Sequence, residues 1–276
     1  MISSYALQQC FLDTQRMIRE DAGLRRSTER MQAETLLFLP GYSAVCPAVK
    51  SAVPVISVIE DTTFHCAQSF LQGNDRVAVL NFANAYSPGG GVKNGAMAQE
   101  ECLCRSSNLY LSLTMPYLIR NYYKWNSRNT GDMGTDAVIY SPGVTVFKTD
   151  DDLPQLLDSP FRTDVLTCAA PYFDPLRKKP VSPEKLTDVF RSRIANILEV
   201  AAAMDVDVLV LGAFGCGAFN NPPELVAEAF RHCLVDQGRG RFFRKVVFAI
   251  KKHGTNYEAF RDVLDKQYSE KTGVSQ

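Results

Sequence analysis

The chain has 276 residues, and its 30 Lys+Arg are balanced by 30 Asp+Glu for a formal net charge of 0. Apolar residues make up 46% and charged residues 22%, a globular composition that excludes disordered, collagen-like and disulfide-scaffold classes. The zero balance also argues against a protein that coats nucleic acid through a basic surface, so no direct nucleic-acid binding is expected.

Residues 1–39 read as helical, with Ser27 as a cap, Met31, Thr35, Phe38 and Leu39 on the less polar side, and Pro40-Gly41 as the stop. The β-branched run Val53–Ile59 predicts a strand and Thr62–Leu71 a short helix. After the turn Gly73-Asn-Asp75, the nearly continuous apolar run Val77–Phe82 predicts a strand covered on both faces. A glycine-rich loop follows, Ser87-Pro-Gly-Gly-Gly91, and then a helical composition from Ala96 to Leu113. Val138–Tyr140 and Val144–Phe147 read as two strands separated by Ser141-Pro-Gly143. Asp150-Asp-Asp152 reads as a solvated acidic turn, Val165–Ala169 as a strand, and Pro171–Pro183 as a Pro/Lys-rich loop. Leu186–Met204 is amphipathic, Val206–Leu211 a buried strand, Pro222–Leu234 a helix and Val246–Ile250 a final strand. This alternation predicts an α/β sheet with helices on both faces and no internal linker.

Met1–Glu20 lacks a basic segment followed by an apolar run, so no secretion signal is expected. No apolar stretch approaches the roughly 18 residues that cross a bilayer, so no membrane partner is expected either. The 8 cysteines are expected to be reduced and packed as small apolar groups, in the cytoplasm or, in a eukaryote, the nucleus. Cys102 and Cys104 have no second Cys pair nearby, and the 3 histidines are far apart, so no metal site is expected.

Two loops carry the features of anion sites. The first runs from Asn81 through Asn84 to Gly91, where a buried strand enters three glycines whose amides could line one concavity. The second, Gly212-Ala-Phe-Gly-Cys-Gly217-Ala-Phe-Asn-Asn221, follows a strand and precedes a helix, the position favoured by ligands in α/β sheets. Its G-x-x-G-x-G order differs from the dinucleotide fingerprint, and no P-loop is present, so a hydride-transfer enzyme is a distant reading. Phe214 reads as core; Phe219, beside two asparagines, reads as a ring available to a ligand. Gln99-Glu-Glu101 follows the first loop. Adjacent helical carboxylates diverge by about 100°, so they suit two tasks, one at a sugar hydroxyl and one at a reacting bond, as glycosidic cleavage requires. On spacing alone, a first-turn surface pair favoured by the helix dipole is the better explanation.

The segment Asn81-Phe-Ala-Asn-Ala-Tyr-Ser-Pro-Gly-Gly-Gly91, then Gly95-Ala96 and Gln99-Glu-Glu101-Cys-Leu-Cys-Arg-Ser-Ser-Asn-Leu-Tyr110, resembles the microbial-type poly(ADP-ribose) glycohydrolase family. Further echoes are Ala33–Leu36, Tyr140–Val144, Leu211–Phe219 and Val247–Ile250, so the resemblance spans roughly Arg25 to Ile250. It implies a macrodomain-like three-layer α/β/α sandwich with a mixed central sheet, a single domain over 1–276 with a helical N-terminal extension over 1–40. It also implies hydrolysis of the ribose–ribose O-glycosidic bonds of poly(ADP-ribose), on the polymer or on ADP-ribosylated proteins. The product would be ADP-ribose, and no metal or cofactor would be needed.

Carried onto this sequence, Glu101 would be the catalytic acid/base and Glu100 would hold a hydroxyl of the scissile ribose, with Asn84 on the same ribose and Gln99 in the ligand-binding set. Gly89, Gly90 and Gly91 would give amides to the diphosphate and distal ribose. Gly215, Cys216, Gly217 and Ala218 would wrap its other side, Phe219 would pack on the terminal ribose, and Asp61 would meet the adenine amine. Lys93 and Lys251-Lys-His-Gly254 depart from the family pattern, which would bear on ligand preference. The same loops would serve a mono-ADP-ribosyl hydrolase acting on protein or DNA, or a non-catalytic ADP-ribose-binding macrodomain.

Overall fold

The computed structural model describes residues 2–44, 48–71, 73–174, 176 and 181–266. Helices α1 (Ser4–Glu20) and α2 (Ala22–Glu34) open the chain, each started by an oxygen that accepts a first-turn amide: Ser3 from Ala6 and Asp21 from Leu24. Ser27 is not a cap. It lies inside α2, where its hydroxyl donates to the Leu24 carbonyl. The helix also stops earlier than expected, because Leu36–Phe38 forms β1, an edge strand antiparallel to β4 (Val138–Lys148). Such pairing depends on a partner about 100 residues away in sequence, which local composition does not reveal.

Seven strands form one mixed sheet in the order β1-β4-β5-β3-β6-β7-β2. Here β2 is Ile56–Ile59, β3 Val77–Ala83, β5 Leu156–Ala169, β6 Val208–Leu211 and β7 Lys245–Ala249. β4 pairs antiparallel with β1 and β5; the β5, β3, β6, β7 and β2 neighbours are all parallel. The two strands expected around Ser141-Pro-Gly143 are one strand with a register shift between Ser141 and Val144, where Gly143 takes φ +60°. β5 is also far longer than the expected five residues.

Alternation along the strands makes two cores. Val77, Val79, Ile139, Val210 and Val247 face one side, packed with Phe11 of α1, Met31 of α2, Phe64 of α3 (Thr63–Ser69), Leu103 of α4 (Gln99–Ser106) and Leu109 of α5 (Leu109–Leu113). A helical run follows α5: α6 (Pro116–Leu118), a π turn (Ile119–Tyr123) and α7 (Lys124–Asn129). Ala78, Leu80, Leu209, Leu211 and Phe248 face the other side, against α8 (Pro183–Ala203), α9 (Pro223–Arg231) and α10 (Thr255–Arg261). This is the three-layer α/β/α arrangement of a macrodomain-like fold. The Pro/Lys-rich loop falls partly outside the described residues.

One consequence of the topology governs the site. β3, β5, β6 and β7 are parallel neighbours, so the loops leaving their carboxyl ends emerge along one rim of the sheet. Both glycine loops lie on that rim.

Candidate active site

A cavity of about 960 Å³ occupies this rim, at the upper end of the range for ligand sites. Asn84, Gln99, Glu100 and Glu101 line it on one side and Gly215, Gly217, Ala218 and Phe219 on another. Asp61, Asp150, Asp152 and the segment Lys251–Asn256 complete the wall.

Helix α4 is seated on β3 by Gln99. The β3–β6 ladder ends at Val79 opposite Val210, leaving the next groups of β3 without a strand partner on that side. The Gln99 side chain supplies the missing rung: its Oε1 accepts from Phe82 N at 2.9 Å and its Nε2 donates to Leu80 O at 2.7 Å. A further bond joins Nε2 to Thr63 Oγ1 at 3.1 Å. Gln99 is therefore a positioning residue, with its amide engaged by protein rather than offered to a ligand.

The two glutamates at the start of α4 diverge, and each is gripped by different backbone. Glu100 is buried, with Oε2 accepting from Asn84 N at 2.8 Å and Oε1 near Asn81 Nδ2 at 3.4 Å. Burial pushes its carboxyl from 4.5 up to about 8; the Asn84, Asn81 and Gly89 donors oppose this, and the Glu101 charge reinforces it. Glu101 reaches back over the first turn, Oε2 accepting from Ala98 N at 3.0 Å and Oε1 from Gly91 N at 2.8 Å. Ala98 has no side-chain acceptor, so this is half of a capping box.

The triple-glycine loop differs from the expectation. Gly89 donates to Glu100, Gly90 N to Ser87 O at 3.0 Å, and Gly91 N to Glu101. None of the three lines the cavity. Their amides fix the glutamates and the turn instead of meeting a diphosphate. Glycine is required at Gly90 twice over: its φ is +56°, and a Cβ would press onto the Glu101 carboxylate and lie 3.1 Å from Glu100 Oε2.

The second loop behaves differently. Cys216 N donates to Ala213 O at 3.1 Å and Asn220 N to Gly217 O at 3.0 Å. The amides of Gly215, Gly217, Ala218 and Phe219 have no acceptor among the described residues, and all four residues line the cavity. Asn221 braces the loop, donating from Nδ2 to Pro171 O at 2.8 Å and Gly215 O at 2.9 Å. Cys216 does not line the cavity, and burial pushes its thiol up to about 12, so it is a packing residue rather than a ligand contact. Phe219 is half-buried, edge-on to Tyr172 with ring centroids 6.1 Å apart. Phe214 is core, against Phe82 and Phe190.

Asn84 lines the cavity beside the glutamates. Its Oδ1 accepts from Tyr86 N and Ser87 N at 2.8 and 2.9 Å, while its Nδ2 has no acceptor among the described residues. Asp61 lines the cavity too, with Oδ1 accepting from Thr62 N and paired with His65 Nδ1, each at 2.7 Å. That pair raises the imidazole pKa.

Three residues with site roles were not singled out from sequence. Asp150, expected in a solvated turn, is 5% exposed and caps α3, accepting from Thr62 Oγ1 at 2.7 Å and Phe64 N at 2.8 Å. Its neighbour Asp152 does meet solvent, bridged to Lys251 at 2.6 Å. Arg105 is fully buried on α4, with Nη1 donating to Ala96 O at 2.6 Å, and so ties the turn after the triple glycine back onto the helix. Its position one turn after Glu101 was the available signal. Asn81 donates to Glu100 and to Thr167 Oγ1; its inward place in a buried strand marks an asparagine that needs buried partners. Among the described residues no three His, Cys, Asp or Glu side chains converge as a metal group would require, and no helix is long and apolar enough to cross a membrane.

A family model, microbial-type PARG, catalytic domain, matches residues 12–149. Among solved structures, poly(ADP-ribose) glycohydrolase from Thermomonospora curvata is 34% identical with a TM-score of 0.80, covering 94% of this chain and 99% of that one. Its complex with the inhibitor ADP-HPD matches equally. The Deinococcus radiodurans glycohydrolase in complex with ADP-ribose is 33% identical with a TM-score of 0.73, covering 90% of this chain and 98% of that one. A search of curated proteins gave no match. With a family model over half of its length and a relative this similar across nearly all of it, the chain belongs to the microbial-type poly(ADP-ribose) glycohydrolase family.

Proposed function

We propose that this chain hydrolyses the ribose–ribose O-glycosidic bonds of poly(ADP-ribose) with Glu101 as acid/base, releasing ADP-ribose. The observation that carries this reading is the convergence of two backbone-held glutamates and a loop of unpaired amides on one cavity. The amides of Gly215, Gly217, Ala218 and Phe219 would take the diphosphate, an anion site built from fixed dipoles. Asn84 Nδ2 and Glu100 would hold the scissile ribose. Burial keeps Glu100 protonated near neutral pH, so it can donate a hydrogen bond to a ribose oxygen as well as accept one. Asp61 would receive the adenine amine, at the end of the cavity where Lys251–Gly254 replace the family pattern. Lys93 lies outside the cavity, over the Tyr110 ring.

Glu101 would give its proton to the leaving ribose oxygen as the anomeric C–O bond breaks and positive charge develops at that carbon. The nearby diphosphate would stabilise that charge. Water would then attack the anomeric carbon and return a proton to Glu101, which completes the balance. The two backbone N–H bonds to Glu101 limit its rotation, so its reach toward the bond is preset.

Residues 1–276 would act as one catalytic domain, since α1 and α2 are built into it: Phe11 packs edge-on to Tyr110 at 4.9 Å, and the Thr14 hydroxyl donates to the Arg105 carbonyl. The seven described cysteines are free, which supports a reducing compartment, cytoplasmic or nuclear. The test is Glu101→Gln. Release of ADP-ribose from the polymer should fall by about 10²–10⁴-fold, with ADP-ribose affinity by calorimetry within about tenfold, or roughly 1.4 kcal/mol. Full activity in that variant would overturn the assignment; loss in both variant and wild type would favour a binding macrodomain.

A further inference from the structure

The chain is neutral overall, but its charge is not evenly spread. From Cys102 to Gly131 there is no Asp or Glu, while Arg105, Arg120, Lys124 and Arg128 fall in that stretch. Arg105 is buried; the other three are exposed on the helical run from α6 to α7. They follow one another at four-residue intervals, so successive cations lie about one helical turn apart on one side. No described carboxylate forms an ion pair with any of them, whereas Arg16, Arg30, Arg76 and Arg244 on the same molecule's surface each have one.

The same side carries rings. Tyr117 is 57% exposed and Trp125 49%. The opposite side is anchored: Leu118, Tyr122, Tyr123 and Asn126 are buried, and Tyr122 and Tyr123 pack edge-on at 4.9 Å. Aromatic groups left in water on an otherwise well-anchored helix, interleaved with unpaired cations, are the composition that binds single-stranded polyanions bearing bases.

The run is tied from its buried side to the chain that leaves β3 beside the cleft. Asn126 Nδ2 donates to Ala85 O at 3.2 Å, one residue beyond Asn84, whose amide holds Glu100. The exposed Tyr86 hydroxyl donates to Gly131 O, just past α7. We propose that the outer side of this helical run, Tyr117, Arg120, Lys124, Trp125 and Arg128, is a tract site for the next ADP-ribose units of the polymer, beyond the unit held in the cleft. The proposal rests on the polymer-hydrolysing reading above. Each unit offers a diphosphate to the cations and an adenine to the rings.

Trp125 is the single tryptophan of the chain, so its fluorescence reports on this surface directly. Polymer should quench it, and free ADP-ribose, confined to the cleft, should not. With three phosphate contacts the affinity for polymer should fall by about 15- to 20-fold over a fourfold rise in salt, taking the single-strand slope, while ADP-ribose affinity changes little. Replacing the cations together (Arg120→Ser, Lys124→Ser, Arg128→Ser) should raise KM for long polymer about tenfold and flatten that salt dependence. Circular dichroism and ADP-ribose calorimetry on the same variant show that the fold and cleft persist. Unchanged KM and unchanged salt dependence in the variant, or quenching by a single-stranded RNA equal to that by polymer, would overturn the tract site. Failure of the wild type to release ADP-ribose would instead overturn the glycohydrolase reading.

Discussion

In the loop after β3, the amides of Gly89, Gly90 and Gly91 go to Glu100, to Ser87 O and to Glu101. In the loop after β6, the amides of Gly215, Gly217, Ala218 and Phe219 meet no acceptor among the described residues, and these four residues line the cavity. Both loops are glycine-rich, both leave the carboxyl ends of adjacent parallel strands, and both read from sequence as phosphate cradles. The difference is what each faces. The first packs against the start of α4, so its donors meet carboxylates belonging to the same chain. The second passes between Ala213 and Asn221, and its own turns consume the amides of Phe214, Cys216, Asn220 and Asn221. A glycine-rich sequence thus provides donors; the neighbouring element decides whether they meet carboxylates of the same chain or are left without a partner at the cavity.

Matched glycine variants test that division. Gly90→Ala is expected to have the largest effect, since a Cβ at φ +56° displaces the Glu101 carboxylate. A misplacement of this kind costs about 10²-fold in kcat, and ADP-ribose affinity should remain within about threefold, near 0.7 kcal/mol. Steady-state turnover together with calorimetry would separate the two; an equal loss in both would place the first loop at the ligand. Gly215→Ala should show the reverse. Its φ is +76°, and a Cβ would lie 2.5 Å from Ala170 Cβ and 2.8 Å from Asn221 Nδ2. Distortion of the amide cradle should weaken ADP-ribose binding by about tenfold, or about 1.4 kcal/mol, with a smaller change in kcat at saturation.

Glu100→Gln sharpens the comparison through stability. The folded protein holds the Glu100 proton more tightly than the unfolded chain, with the carboxyl near 8 instead of 4.5. Between those values the native state binds more protons, so this group makes stability fall as pH rises, with its full cost reached above pH 8. The glutamine variant lacks this penalty and should be more stable at alkaline pH by about 2 kcal/mol or more. Urea denaturation at acid and alkaline pH measures it; a wild-type stability that rises over this window relative to the variant would contradict the assigned shift. The smallest effect is expected for Cys216→Ser. The Cys216 amide already donates to Ala213 O and its side chain lies outside the cavity, so ADP-ribose affinity should move by less than about twofold, or 0.4 kcal/mol.

Much of the fold was legible in the chain. Continuous apolar runs such as Val77–Phe82 and Val208–Leu211 mark strands with both faces covered, because local composition records burial on each side. Leu36–Phe38 reads as helix from its composition, because a three-residue edge strand draws its hydrogen bonds from β4 and little from its own sequence. The helical run over 116–129 and α10 carry no clear signal in the local sequence. Asp150 looked solvated within a run of three aspartates, and only the approach of α3 buries it.

The sequence by itself determined the class of sheet, the two glycine loops, and the glutamate pair on a helix that follows the first loop. Those features depend on residue type and short-range spacing. The tertiary structure alone decided where each donor goes: Gln99 to the end of the β3 ladder, the triple glycine to the glutamates, the second loop's amides to the cavity. It also decided that a charge-neutral chain sets three cations, without an ion pair among the described residues, on a helical run tied to the chain leaving β3. Hydrogen-bond partners and surface fields are set by groups distant in sequence, and a chain read locally carries the groups but not their pairing.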